Sequence, residues 1–187
     1  MNAVRIIGGE WRRRVLRFPD AAGLRPTPDR VRETLFNWLG QDLSGRSCLD
    51  LFAGSGALGF EAASRGAARV LMVDNAPKVL AALEANARTL KADDRLQIVR
   101  ADAVKFASSQ AVAGVRFDVV FVDPPYQQGW IDRLAPLVTE LVHADGALYL
   151  EADRALSGIG VWRTVRNGRA GQVYFHLLRR GKADDAQ

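Results

Sequence analysis

The 187-residue sequence has one cysteine, two histidines and no apolar run approaching the roughly 20 residues that a membrane span needs. A single cysteine excludes an intrachain disulfide and points to a reducing, cytoplasmic compartment. Cys48 sits in an apolar run and reads as a core residue, because neither His143 nor His176 lies near it in sequence. Residues 1–17 are too polar for a signal peptide. Acids are scarce at the N-terminus. Residues 1–32 carry Arg5, Arg12, Arg13, Arg14, Arg17, Arg25, Arg30 and Arg32 against only Glu10, Asp20 and Asp29. That block therefore holds the whole net charge of +5, and the rest of the chain sums to zero. Every basic residue in it is arginine, the side chain that suits phosphate forks and base stacking. A solvated arm is the bland alternative; a nucleic-acid partner becomes the better reading beside the motifs below.

What is present is a chain with 48% hydrophobic residues, enough for a packed core. Val4 to Ile7 and Arg12 to Phe18 flank Gly8-Gly9 and predict a β-hairpin. A connector follows over 19–27. A helix is expected over about 28–39, with Thr27 as its cap, Pro28 in the first position and Asp29 at the positive end of the dipole. From Ser47 on, short apolar strands alternate with helical stretches. The strands are 48–52, 70–74, 97–100, 118–122 and 147–151; the helices are about 57–66, 76–91, 103–111 and 130–142. That alternation predicts a parallel sheet covered on both faces. Residues 162–166 and 173–178 read as a closing antiparallel pair. The expected organisation is a basic hairpin and connector over 1–27, one α/β domain over 28–182 and a polar tail over 183–187, with a monomer as the simplest state.

Three acids fall at the ends of three successive strands. Asp50 begins Asp50-Leu51-Phe52-Ala53-Gly54-Ser55-Gly56-Ala57-Leu58-Gly59, a G-x-G-x-x-G loop between a strand and a helix. Such a loop brings backbone close to a ligand and aims free N–H groups at it. Asp74 ends the second strand, where a carboxylate can accept both ribose hydroxyls, although it or Asn75 could instead cap the next helix. Asp102 ends the third. There it can accept from an adenine amino group while the Ala103 N–H reaches a ring nitrogen, or it can simply cap a helix. This much fits a nicotinamide dinucleotide or S-adenosylmethionine.

The fourth strand separates the two. It ends in Asp123-Pro124-Pro125-Tyr126. The prolines stop the ladder, stiffen the loop and leave it rich in acceptors and poor in donors. An amino group on a base is a poor nucleophile, because its lone pair is delocalised into the ring. Acceptors on its two protons, the Asp123 carboxylate and the Pro124 carbonyl, draw it toward tetrahedral geometry. Tyr126 offers a face for the base to stack on. A sulfonium methyl donor is already activated, so no metal is called for.

These motifs resemble the class I amino-methyltransferases acting on nucleic acids. The resemblance extends to Arg5-Ile6-Ile7-Gly8-Gly9-Glu10-Trp11-Arg12, to Leu24-Arg25-Pro26-Thr27-Pro28-Asp29-Arg30-Val31-Arg32-Glu33-Thr34-Leu35-Phe36-Asn37 and to Asp50-Leu51-Phe52-Ala53-Gly54-Ser55-Gly56. Together they are similar to the RsmD family of bacterial 16S ribosomal RNA (guanine-N2)-methyltransferases. The resemblance implies a Rossmann-like class I methyltransferase fold, with a seven-stranded, mostly parallel sheet, an antiparallel end strand and an N-terminal β-hairpin. It implies methylation of guanine 966 in 16S rRNA of the assembling or assembled 30S subunit. It places Arg25, Thr27, Asp50, Phe52, Gly54, Gly56, Asp74, Asn75, Asp102 and Ala103 at S-adenosylmethionine and Asp123, Pro124 and Tyr126 at the target base. Arg5, Arg12, Arg13, Arg14 and Arg17 are expected on RNA. The chain departs from the family at Arg13, where glycine is common, and at Pro28, where threonine is usual. DNA adenine-N6 methylation is a sibling reading. A small NAD-dependent oxidoreductase or a non-enzymatic RNA-binding module belongs to a different class.

Overall fold

The computed structural model describes residues 1–21, 24–125 and 129–181. Tyr126 and the expected tail over 183–187 lie outside the described residues. Strands β1 (Asn2–Arg5) and β2 (Val15–Phe18) form the antiparallel N-terminal hairpin. After α1 (Asp29–Leu39), strand and helix alternate: β3 (Ser47–Asp50), α2 (Ala57–Ser64), β4 (Arg69–Asp74), α3 (Pro77–Leu90), β5 (Leu96–Arg100), α4 (Ala103–Val112), β6 (Phe117–Val122) and α5 (Trp130–Leu141). The chain closes with β7 (Val142–Ala152), β8 (Gly158–Ile159), β9 (Trp162–Ala170) and β10 (Val173–Arg180).

The main sheet runs β5-β4-β3-β6-β7-β10-β9-β8. Strands β3 to β7 pair in parallel, and β10 lies antiparallel between β7 and β9. The seven expected strands are all there, and the two-residue β8 extends the edge. Alternate residues of each buried strand serve opposite layers. Cys48, Val70, Met72, Val119, Phe121 and Tyr149 pack toward α1, α2, α3 and the hairpin. Leu49, Leu71, Val73, Val120, Val122, Leu148 and Leu150 pack toward α4 and α5. This is why the strands read as continuous apolar runs. The order turns outward from β3 in both directions, so a crevice opens between the ends of β3 and β6, where open α/β sheets bind ligands.

The N-terminal hairpin departs from the expected form. Its first strand lies two residues earlier, its second is shorter, and residues 6–14 make a long connection in place of a turn at Gly8-Gly9. The cause lies in helix α2. Fully buried Glu61 accepts the N–H groups of Ile7 (3.0 Å) and Gly8 (2.8 Å), and the Ser64 hydroxyl accepts that of Trp11 (2.9 Å). A Cβ on Gly9 would lie 1.9 Å from the Ser64 carbonyl oxygen, and one on Gly8 would strike the Arg65 guanidinium. The glycines permit this close approach. Arg13, at the position where the similar family commonly has glycine, has φ of 71°, a conformation that glycine adopts at least cost.

Glu61 also binds two buried arginines, Arg32 (3.0 Å) and Arg65 (2.9 Å). Arg32 further donates to the carbonyls of Arg5 (2.8 Å) and Thr27 (3.1 Å). One ion network thus ties the hairpin, the connector, α1 and α2 together. Removing Glu61 would leave two buried guanidinium groups without their shared carboxylate. Thr27 does not cap α1. Pro28 stands at the cap without a side-chain bond, and the Thr27 hydroxyl points toward β7.

Candidate functional site

A cavity of about 980 Å³ lies over the C-terminal ends of the parallel strands. Of the residues expected at a cofactor, Arg25, Thr27, Asp50, Phe52, Gly54, Asp74, Asn75, Asp102 and Ala103 line it, and so do Asp123 and Pro124. Gly56 does not. It starts α2 with φ of 78°, and a Cβ there would lie 2.6 Å from the Phe60 ring, so its role is in packing. Gly59 likewise lets α2 approach β4, since a Cβ would meet Met72 at 2.5 Å. Only the first glycine of the motif reaches the cavity.

The acids on this side are held by backbone. Asp74 accepts from Gly54 N–H (3.1 Å) through one oxygen and from Ala76 N–H (2.9 Å) through the other. It fixes the glycine loop while facing the cavity. Neither Asp74 nor Asn75 is the cap of α3, which starts after Ala76. Asp102 does cap α4, accepting from Lys105 N–H at 3.0 Å. A carboxylate has lone pairs beyond those used in either case. Asp50 is buried. One oxygen accepts Gly59 N–H at 3.1 Å, and the other, Oδ1, has no hydrogen-bond partner among the described residues. Burial pushes its pKa up to about 7, against the pull of the Gly59 and Phe52 N–H groups.

The other side is built differently. Asp123 follows β6, and its carboxyl hydrogen-bonds the carboxyl of Glu151 on β7. Glu151 Oε1 accepts from the Tyr149 hydroxyl at 2.7 Å and the Thr27 hydroxyl at 3.3 Å. Desolvation raises the pKa of both acids. For Asp123, the charges of Glu151 and Asp50 add to that rise. Pro124 is buried and Pro125 exposed. Trp130, at the start of α5, stands edge-on to Phe52 with ring centroids 5.2 Å apart.

Sequence reasoning passed over Glu151, Trp130, Arg169 and Tyr174, all of which line the cavity. Glu151 was findable by the rule that singled out the first three acids, since it too sits near the C-terminal end of a parallel strand. Arg5, Arg12, Arg13, Arg14 and Arg17 are exposed on the hairpin and do not line the cavity; Arg14 donates to the Thr89 carbonyl at 3.2 Å. Neither histidine lines it. His143 is exposed, and buried His176 accepts Leu156 N–H at 3.0 Å while its other nitrogen meets the Leu150 carbonyl at 3.2 Å. The cavity therefore lacks the histidine that a nicotinamide-dependent reaction could draw on.

A protein-family model described as "Conserved hypothetical protein 95" matches residues 4–179. The Escherichia coli (strain K12) protein named Ribosomal RNA small subunit methyltransferase D is 42% identical over 182 residues, covering 95% of this chain and 90% of that protein. The Haemophilus influenzae protein of the same name is 37% identical over 179 residues, covering 93% of this chain and 92% of that one. Among solved structures, a candidate methyltransferase from Escherichia coli superposes with a TM-score of 0.85 at 40% identity, covering 96% of this chain and 99% of that chain. SMU.776, a candidate methyltransferase complexed with SAH, shares the fold with a TM-score of 0.65 at 17% identity, over 80% of this chain and 48% of that one. The chain therefore belongs to the family of Conserved hypothetical protein 95, the RsmD family, and has the fold of S-adenosylmethionine-dependent methyltransferases.

Proposed function

We propose that this chain is an S-adenosylmethionine-dependent ribosomal RNA methyltransferase that acts on the exocyclic N2 amine of guanine 966 in the small-subunit RNA, presented in the 30S particle. The observation that carries this reading is the Asp123 carboxyl, bonded to Glu151 and set beside the glycine loop in one cavity. The names of the curated relatives support ribosomal RNA as the substrate. In this reading the protein works as a monomer in the cytoplasm.

The cavity residues fit the cofactor. The Oδ1 of Asp50, buried without a hydrogen-bond partner among the described residues, suits an ammonium group such as that of a methionine moiety. Gly54, with φ of 50°, leaves backbone bare at the cavity wall. Of the residues lining the cavity, Asp74 and Asn75 would hold the ribose, and Asp102 and Ala103 the adenine. Arg25 and Thr27 close the cavity from the connector. When bound, the cofactor supplies a methyl group on positively charged sulfur, ready for transfer.

The protein's own task is to place and polarise the amine. Two hydrogen-bonded carboxyls hold one proton between them, because two adjacent negative charges in a dry site repel. Glu151, buried and backed by Tyr149 and Thr27, engages Asp123 from one side. Asp123 then offers its remaining lone pairs to an N2–H, and the Pro124 carbonyl serves as the second acceptor. Methyl transfer would leave the carbon–sulfur bonding pair with the donor and an extra proton on N2, which needs an acceptor. The N2 proton passes to Asp123 and then to solvent. Positioning does most of the work. Tyr126 is the stacking face in this scheme. The exposed Arg5, Arg12, Arg13, Arg14 and Arg17 hold RNA phosphates.

Mass-spectrometric mapping of the modified nucleotide after reaction with 30S particles tests the reading. Methyl on N2 of guanine 966 is expected. Methyl on DNA adenine, in a parallel reaction, would overturn it.

A further inference from the structure

The net charge of zero over residues 33–187 conceals a second arginine block. Residues 155–181 contain Arg163, Arg166, Arg169, Arg179 and Arg180 and no acid at all. They form β8, β9 and β10, and the tip of the β9–β10 hairpin enters the cavity wall through residues 169–174. We infer that this hairpin is a second RNA-binding surface, in which Arg169 and Tyr174 stack a nucleotide neighbouring the target base. The inference rests on the proposed ribosomal RNA substrate.

Strand order carries the argument. Neighbouring strands lie about 4.8 Å apart, so the order β5-β4-β3-β6-β7-β10-β9 is a ruler across the cavity floor. The glycine loop, Asp74 and Asp102 belong to β3, β4 and β5. Asp123 and Glu151 end β6 and β7. Tyr174 pairs with Ala152 of β7 and with Arg169 of β9. Tyr174 is thus two strands beyond Asp123, about 10 Å, on the side away from the glycine loop. That is too far to hold the base whose amine meets Asp123. It is the reach of an adjoining nucleotide. The cofactor half lies at least three strand spacings away, roughly 14 Å, which leaves the hairpin tip to the substrate.

The tip has the chemistry for that task. The Arg169 guanidinium lies 5.1 Å from the centre of the Tyr174 ring, and its Nε is fixed on the Gly171 carbonyl at 2.8 Å. An arginine stacked on an aromatic ring presents a flat cationic face to a base and a fork to a phosphate. The platform is firmly based. Phe175 stacks on Trp38 of α1 with centroids 5.5 Å apart, and Gly168 makes room for its ring, since a Cβ there would come within 2.3 Å. Not every arginine of the block is available. Arg163 and Arg179 donate to main-chain carbonyls, including Gly160 at 2.6 Å and Asp145 at 3.0 Å, toward the opposite end of the strands. The nucleic-acid face therefore centres on Arg169 and Tyr174, which pair across β9 and β10 and share one face of the sheet.

The test compares wild type with Arg169→Ala, Arg169→Lys, Tyr174→Ala and Tyr174→Phe, each checked for an unchanged melting temperature. The readouts are kcat and KM on 30S particles, calorimetric S-adenosylhomocysteine affinity, and fluorescence-anisotropy binding to a fluorescent 16S RNA fragment containing guanine 966. Loss of one stacking contact is expected to weaken RNA binding about tenfold for Arg169→Ala and Tyr174→Ala. The rise in KM should exceed any fall in kcat, and cofactor affinity should stay within about twofold. Tyr174→Phe should bind like wild type, and Arg169→Lys should fall between. The salt slope should drop by about one for Arg169→Ala and not for Tyr174→Ala. RNA affinity unchanged in both alanine variants would overturn the inference. If wild type fails to methylate 30S particles, the proposed function falls; the anisotropy series still decides whether the hairpin binds RNA.

Discussion

The two sides of the cavity treat their carboxylates in opposite ways. Over β4 and β5, Asp74 and Asp102 accept backbone N–H groups, which fix their orientation. Over β6 and β7, Asp123 and Glu151 face each other, helped among the described residues by hydroxyl donors, and both are pushed toward keeping a proton. Backbone donors suit acids that bind, because they aim the remaining lone pairs in a fixed direction. A carboxyl pair suits an acid that exchanges a proton during a reaction. Asp50 stands between the two classes, with one oxygen on backbone and one without a hydrogen-bond partner among the described residues.

The sharpest break should come at Asp123. Asp123→Asn is expected to lower kcat by about 10²- to 10⁴-fold, the usual worth of a positioned acid or base. S-adenosylhomocysteine affinity, measured by calorimetry, should stay within about twofold of wild type. A large loss of cofactor affinity would erase the distinction between the two sides.

Asp50 should produce the next effect, in affinity. With its pKa at about 7, the ligand-free protein carries Asp50 largely protonated at lower pH, yet an ammonium partner wants the carboxylate. Cofactor affinity should therefore climb as pH rises through 7 and level off above it. Binding at pH 6 should release close to one proton, seen as a dependence of calorimetric heat on the buffer's ionisation enthalpy. Asp50→Asn should bind about tenfold more weakly, in line with the loss of one charge-assisted bond, and show no such release. Stability has its own sign. The unfolded chain ionises this carboxyl at lower pH than the folded one, so ligand-free protein should lose stability as pH rises from the ordinary carboxyl range to about 7. A melting temperature rising across that window in wild type, relative to Asp50→Asn, would contradict this placement.

How much of this was legible depended on how local each cause is. The parallel strands and the acids at their ends follow from apolar runs and chain punctuation, and the helices came within a few residues of their bounds. Gly8-Gly9 misled because a tight turn and a close approach to α2 demand the same residue, and only the fold distinguishes Ser64 as the neighbour. Thr27 misled in the same way. A threonine before Pro28 reads as a cap, but Glu151, far along the chain, draws its hydroxyl elsewhere. Glu151 lay in plain view at a strand end, yet its meaning comes from Asp123, and strand order brings them together. The second arginine block was hidden by summation, since acids elsewhere cancel it. Gly56 looked like a cofactor glycine because the motif assigns all three glycines one purpose, whereas here they serve three neighbours.

The finest test concerns the direction of a pH shift, and it uses two neighbours of Asp123: Glu151 itself, and Thr27, whose hydroxyl donates to Glu151 Oε1. Glu151→Gln removes the like charge beside Asp123, so Asp123 should ionise at lower pH and the acid limb of the kcat profile should move down, with kcat about tenfold lower. Thr27→Val keeps the shape but removes a hydroxyl that favours the charged form of both acids. A lost hydrogen bond of this kind is worth about 0.5–1.5 kcal/mol, so the effect on kcat should be only about two- to tenfold. The acid limb should move up. Thr27→Ser, which restores the donor, should return the profile toward wild type. Opposite shifts from two neighbours are what a shared proton requires, because one substitution removes charge repulsion and the other removes support for charge. If both limbs move the same way, Asp123 and Glu151 do not share a proton, and the contrast between the two sides of the cavity reduces to a difference in burial.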